Sequence, residues 1–371
     1  MFKNKLLKPL LWFFLIASVF LALIYASTYW QVSTRVHVEL VTDRLQFSLA
    51  EDEMQTILPS LPYHAFSVTK FSSLKLSPEE FVVADPSKYD FDQDKYPDNA
   101  WVSLSDVAEL TIQGDQVSRF AYVSFESSEE ENSELGKLYQ FMADGNAIVD
   151  IEYVANDRKQ LLINTLGKIS QLQLHFDAAV YMDLDGALPQ GISMPEFDAE
   201  QLRYRFKFAE YSRLVEINSH STGLDFTLTL PDKIVPTMPL IQDLPISSIN
   251  FLHQGQKGEP ESSIVGEGKL SYPGYPNLEA RKIDRFLRLE QLEKFSIREL
   301  QLSQTTNAMS ITLEGIVDEA ITGYGHFSDD LTLTLFHVFR HDWRLAILFS
   351  VLAFLIYRIP AAIKFYKDLA R

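Results

Sequence analysis

Residues 224–230 read LDFTLTL, and the strict alternation of apolar and polar side chains in this stretch decides the fold class. A period of two puts Leu224, Phe226, Leu228 and Leu230 on one face and Asp225, Thr227 and Thr229 on the other. That is the pattern of a strand with one covered face. The pattern recurs on both sides. Residues 202–208 read LRYRFKF, with Leu202, Tyr204, Phe206 and Phe208 on one face. Residues 35–40 read RVHVEL, and residues 331–336 read LTLTLF. The expected fold is mainly β, a β-rich α+β region with a few short helices.

Three helices are expected. Ser48 and Glu51 have capping-box spacing for a short helix ending before Pro59. Residues 133–144 place Leu135, Leu138 and Met142 on one helical face, with Gly145 as the stop. Residues 289–295, LEQLEKF, suit a short helical turn. Pro231, Pro236, Pro239 and Pro245 mark residues 231–246 as a connection between a β-rich domain over 31–230 and a second β-rich subdomain over 247–342. Residues 169–186 and 297–315 each contain Leu-Gln-Leu and close on an acid-Gly pair. They read as two similar hairpins, either a repeat or a chance likeness between hairpins.

The two ends are strongly apolar. Lys3, Lys5 and Lys8 precede an uncharged run, so residues 1–9 are expected to be a cytoplasmic N-terminus and residues 10–30 a transmembrane helix. A cleaved signal peptide is the rival reading. Residues 343–359 are expected to form a second transmembrane helix and residues 360–371 a cytoplasmic amphipathic tail. The expected fold class is thus a mainly β extracytoplasmic region flanked by N- and C-terminal transmembrane helices. The expected localisation is the bacterial cell inner membrane, two-pass, with both termini cytoplasmic and the centre periplasmic or extracellular. The chain contains no Asn-x-Ser/Thr acceptor, in keeping with a bacterial origin.

Charge and composition exclude several chemistries. The formal net charge is -17, and setting aside residues 1–30 and 343–371 leaves 25 basic and 49 acidic residues, a net of -24. Such a surface repels nucleic acid, which is bound by neutralising phosphates. With no cysteine there is neither a disulfide nor a thiolate ligand or nucleophile.

Motifs for chemistry are sparse. Asp90, Asp92, Asp94 and Asp98 fall at positions one, three, five and nine of a calcium-loop register, a weak calcium candidate. Lys95 and Trp101 stand where that loop needs glycine and a bidentate glutamate, so a solvated acidic loop is the competing reading, and no other cofactor is expected. Asp183 and Asp185 share a face by alternation alone. His337 and His341 are four apart, without the intervening glutamate of a zinc protease helix. Residues 266–271, GEGKLS, lack the spacer of a phosphate loop and read as a turn into a strand at 269–272.

These features favour a membrane-anchored, non-enzymatic accessory or scaffold subunit whose β-rich domain binds a partner protein or an envelope molecule. The alternatives are lipid or glycan binding, a membrane-bound hydrolase with a dispersed site, and an oligomeric channel or sensor. The expected partners are a protein of a membrane complex or further copies of the chain, with lipid as a third class and nucleic acid excluded.

Overall fold

In the computed structural model the alternation at 224–230 is a strand: Leu224, Phe226 and Leu228 are buried, while Asp225 and Thr227 are half-exposed. The structure describes residues 18, 22, 25–50, 53–58, 61–69, 73–76, 80–84, 102–103, 110–113, 122–127, 136–156, 158–166, 170–176, 180–185, 203–208, 215–219, 223–231, 239–255, 258–303, 307–323, 328–341, 347, 350, 354, 357 and 358. In chain order the first strands are β1 (Thr34–Thr42), β2 (Arg44–Leu49), β3 (Gln55–Leu58), β4 (Leu61–Tyr63), β5 (Ala65–Thr69), β6 (Ser73–Leu76), β7 (Glu80–Ala84), β8 (Val102–Ser103), β9 (Leu110–Gln113) and β10 (Tyr122–Ser127). Next come β11 (Gly136–Ala143), β12 (Ile148–Ala155), β13 (Lys159–Leu166), β14 (Ser170–Phe176), β15 (Val180–Asp185), β16 (Arg203–Phe208), β17 (Val215–Asn218) and β18 (Leu224–Thr229). The last are β19 (Ile241–Asn250), β20 (Leu252–Gln254), β21 (Pro260–Ser262), β22 (Gly268–Ser271), β23 (Arg281–Ile283), β24 (Leu287–Glu290), β25 (Glu293–Leu302), β26 (Met309–Val317), β27 (Glu319–Thr322) and β28 (Asp329–Asp330), followed by helix α1 (Leu335–His341).

Among the described residues the largest sheet has 16 strands in the order β23-β22-β1-β26-β25-β19-β2-β12-β13-β18-β5-β10-β15-β16-β7-β8. A second sheet runs β3-β11-β14-β17-β6-β9, with β4 also paired to β11. Antiparallel pairing suits the alternation, because one face can pack while the other meets water. The inner face of the large sheet buries Leu45, Phe47, Val149, Ile151, Ile163 and Phe226. Phe141 of the second sheet meets Phe226 edge-to-face with ring centroids 5.0 Å apart, and Phe66 lies 5.9 Å from the same ring. The Phe141–Phe226 contact joins the two sheets, and the Phe66–Phe226 contact lies within the large one.

The fold class is corrected on one point. Among the described residues no helix is long and apolar enough to cross a membrane. Residues 25–29 are helical, and the chain has entered β1 by Thr34. At the other end α1 has seven residues, including His337 and Arg340. The flanking transmembrane helices, the two-pass inner-membrane placement and the periplasmic centre are therefore overturned, and the observed class is a β-rich domain.

The expected helix over 133–144 is strand β11. Its register slips between Leu138 and Gln140 against β14, so the buried residues Leu138, Phe141 and Ala143 are spaced by three and then two. A bulge thus imitates helical spacing. Ser48 lies in β2 and residues 55–58 form β3, so no helix occupies those positions. Residues 289–295 hold the end of β24, a turn with Gln291 at positive φ, and the start of β25.

Only one of the two similar segments is a hairpin: β25 pairs with β26. Strand β14 instead joins the second sheet, between β11 and β17, while β15 joins the large sheet, between β10 and β16. The chain changes sheets between them. Strand β19 lies between β2 and β25 and contains Pro245. The ladder to β2 shifts register between Ile246 and Ser248, next to that proline, while the ladder to β25 keeps its register through it.

The two flanks of the described body meet. The Val32 N–H donates to the Leu333 carbonyl at 2.9 Å, and the Leu335 N–H to the Trp30 carbonyl at 2.8 Å. Gln31 Nε2 donates to Asp330 Oδ2 at 3.0 Å. The Tyr272 hydroxyl donates to the Leu331 carbonyl, and burial pushes that phenol up to about 12.

Candidate functional site

Alternation on β12 buries Val149, Ile151 and Tyr153 and turns Ile148, Asp150 and Glu152 to the opposite, solvent face. Cross-strand register then builds rows on that face. One row is Gln46, Asp150, Asn164, Asp225 and Thr69, across β2, β12, β13, β18 and β5. The next is Arg44, Glu152, Leu162, Thr227 and Ser67. On the other side Ser48, Ile148 and Leu166 are in register. Ile148 is 37% and Leu166 43% exposed, so this third row presents apolar surface to solvent. The middle of the first row, Asp150, Asn164 and Asp225, and all of the second line an open cavity of about 280 Å³.

The charges in the cavity are unequal. Arg44 forks onto Asp150, with Nε 3.0 Å from Oδ1 and Nη2 2.5 Å from Oδ2. Its Nη1 lies 3.6 Å from Glu152 Oε2. The hydrogen bond to Asp150 is the main cause that raises the Arg44 pKa, so this guanidinium stays charged. Asp225 adds a third carboxylate to the lining. Asn164 lines the same cavity, and its Oδ1 is shielded from solvent without a hydrogen-bond partner. Such an arrangement offers hydrogen-bond acceptors beside the donors Arg44, Ser67 and Thr227. It offers no thiol, since the chain has none.

Beside Arg44, at the β1–β2 turn, sits a second polar group. Asp43 Oδ1 and His253 Nδ1 are both buried without a hydrogen-bond partner, and His253 Nε2 is 3.8 Å from Glu261 Oε2. Burial raises the Asp43 carboxyl above its ordinary value, and the charges of His253 and Arg44 oppose this only in part. The folded chain therefore holds a proton on Asp43 over a pH range in which the unfolded chain has lost it. Stability from this group is fully present below the ordinary carboxylate pKa, about 3.9, and is lost as pH rises through the folded value. Asp43→Asn is thus expected to stabilise the chain at pH 7 and to lose that advantage near pH 3.5. Urea midpoints of both chains at the two pH values check this. A variant less stable at pH 7 than at pH 3.5, relative to the parent, would contradict it.

The residues singled out in sequence are mostly elsewhere. Asp90, Asp92, Asp94 and Asp98 lie outside the described residues. His337 Nδ1 is 2.8 Å from Thr334 Oγ1 at the start of α1. Among the described residues, no group of three or more His, Asp or Glu is placed to hold a metal. Asp183 and Asp185 register with Arg205 and Arg203 of the next strand. Gly266 makes a turn at φ 83° into β22, close to the expected strand start. The acceptor-lined cavity was not anticipated. Its residues come from five strands, and alternation alone could show only that Asp225 and Thr227 share a face.

No protein-family model matches the chain, and no curated protein is found to be similar to it.

Proposed function

We propose that this chain is a β-rich binding module for a partner protein, engaged through the solvent face of the large sheet. The reading is carried by one observation: an acceptor-lined cavity of about 280 Å³ adjoins exposed Ile148 and Leu166 on the same face. A polar depression beside exposed apolar side chains is the surface chemistry of recognition. The membrane-anchored form of this reading is corrected, because among the described residues no helix is long and apolar enough to cross a membrane.

Native mass measurement of the chain purified gently from its own cells tests the reading. A second protein is expected in stoichiometric amount. A chain that is found only as a monomer, or only with copies of itself, overturns it.

A further inference from the structure

Strands β20 and β21 pair with each other and, among the described residues, with no other strand. The base of this hairpin is pinned to the end of β1. The Ser263 hydroxyl donates to the Phe251 carbonyl at 2.9 Å, the Thr42 hydroxyl to the Ser263 carbonyl at 2.9 Å, and the Asp43 N–H to that same carbonyl at 3.1 Å. Just past the base, His253 stands cross-strand from Glu261. Its Nε2 is 3.8 Å from Glu261 Oε2. Its other ring nitrogen, Nδ1, is buried without a hydrogen-bond partner, and so is Asp43 Oδ1 on the β1–β2 turn. The two residues are near enough for the His253 charge to act on the Asp43 carboxyl. The ring is thus flanked by carboxylates of two elements, one on its own hairpin and one on the turn beneath. A neutral imidazole has a single N–H and can donate to one of them, leaving its bare nitrogen as an acceptor facing another acceptor. An imidazolium carries two N–H groups and can serve both.

We infer that His253 is a proton-operated latch, which fastens the β20–β21 hairpin to the β1–β2 turn when its ring is protonated and releases it when the ring is neutral. In the fastened state Nδ1–H donates to Asp43 and Nε2–H to Glu261. Among the described residues, the charged groups around the ring are Asp43 and Arg44 of the turn, Glu261 of β21 and, beyond Arg44, Asp150 and Glu152 of β12. Arg44 does not take the place of the imidazolium, because its guanidinium is held by Asp150 at 2.5 Å and Glu152 at 3.6 Å. A histidine ordinarily gains its second proton at about pH 6.5. The latch is therefore closed on the acid side of that range and open on the alkaline side. Asp43 sets the acid limit. Burial raises its carboxyl, and once that group is protonated the ionic attraction ends. Arg44, the next residue in the chain, lines the cavity, so the latch adjoins the polar face of the large sheet.

The chain has no cysteine, so Glu259→Cys, at an exposed position in the hairpin turn, takes a single nitroxide label. Electron paramagnetic resonance of the labelled full chain at pH 6 and pH 8 reads the mobility of the hairpin. The mobile fraction is expected to rise by about fivefold or more at pH 8, the effect of losing one charge-assisted hydrogen bond. The rise is expected to vanish in His253→Gln and to shrink in Asp43→Asn, where the acceptor remains without its charge. Both variants carry the label and are required to melt cooperatively, and either one suffices. A parent spectrum that is the same at both pH values overturns the inference, and so does a rise that survives undiminished in either variant.

Discussion

Gly223→Ala is expected to lower the stability of the chain by about 4 kcal/mol, combining backbone strain with overpacking. Gly223 has a φ of 101°, beyond the left-handed region that an alanine tolerates most easily. An added Cβ would stand 1.7 Å from the Thr165 carbonyl oxygen and 2.9 Å from its carbon. Both are backbone atoms, so no rotamer change relieves the clash. The neighbourhood is also fixed: Thr165 is buried and exchanges hydrogen bonds with Leu224, its Oγ1 lying 3.0 Å from the Leu224 N–H. Relief would need β13 and β18 to part where they line the cavity. Gly274 is the control, since nothing lies within 4 Å of a Cβ placed there. Urea midpoints decide it. Equal losses at the two glycines would show that the close approach to Thr165 is not what matters.

Phe141→Ala is expected to cost about 3–5 kcal/mol, the range for deleting a buried aromatic side chain. Phe141 is fully buried and belongs to the second sheet, yet its ring packs edge-to-face on Phe226 of the large sheet. Removing it opens a void between two layers that cannot approach each other without shifting both ladders. The aromatic contact itself is worth about 0.5–1.5 kcal/mol beyond burial. A double-mutant cycle with Phe226→Leu should return a coupling of about 1 kcal/mol. Additive losses would mean that the rings fill space without recognising each other.

Strands were legible where both faces kept their parity. The alternation over 202–208 and 224–230 became β16 and β18 almost residue for residue. It misled at residues 331–336, where Leu331, Thr332 and Leu333 are all buried and the chain turns into α1 at Leu335. There the Thr332 side chain accepts a hydrogen bond from the Ala320 N–H, so a polar residue sits inside without breaking the apolar pattern. At β11 a bulge erased the parity that would have marked a strand. The apolar runs at the two ends suggested membrane helices by composition, a signal blind to what the described residues form. The site was less legible than the strands. Asp150 and Asp225 are 75 positions apart in the chain, and nothing local says that β13 stands between them. Register is a property of turns and long-range pairing, which a single strand's alternation does not carry.

The meeting of residues 30–32 with residues 333–335 bears on how the body responds to mechanical load. Tension applied across these two flanks reaches the Val32–Leu333 and Trp30–Leu335 hydrogen bonds before it reaches either sheet. Because both flanks leave from one corner, the pull is directed across that short ladder and peels it one bond at a time. The long sheet is spared shear along its strands until the corner has opened. The corner is therefore expected to open under load before the core between the sheets loses its shape.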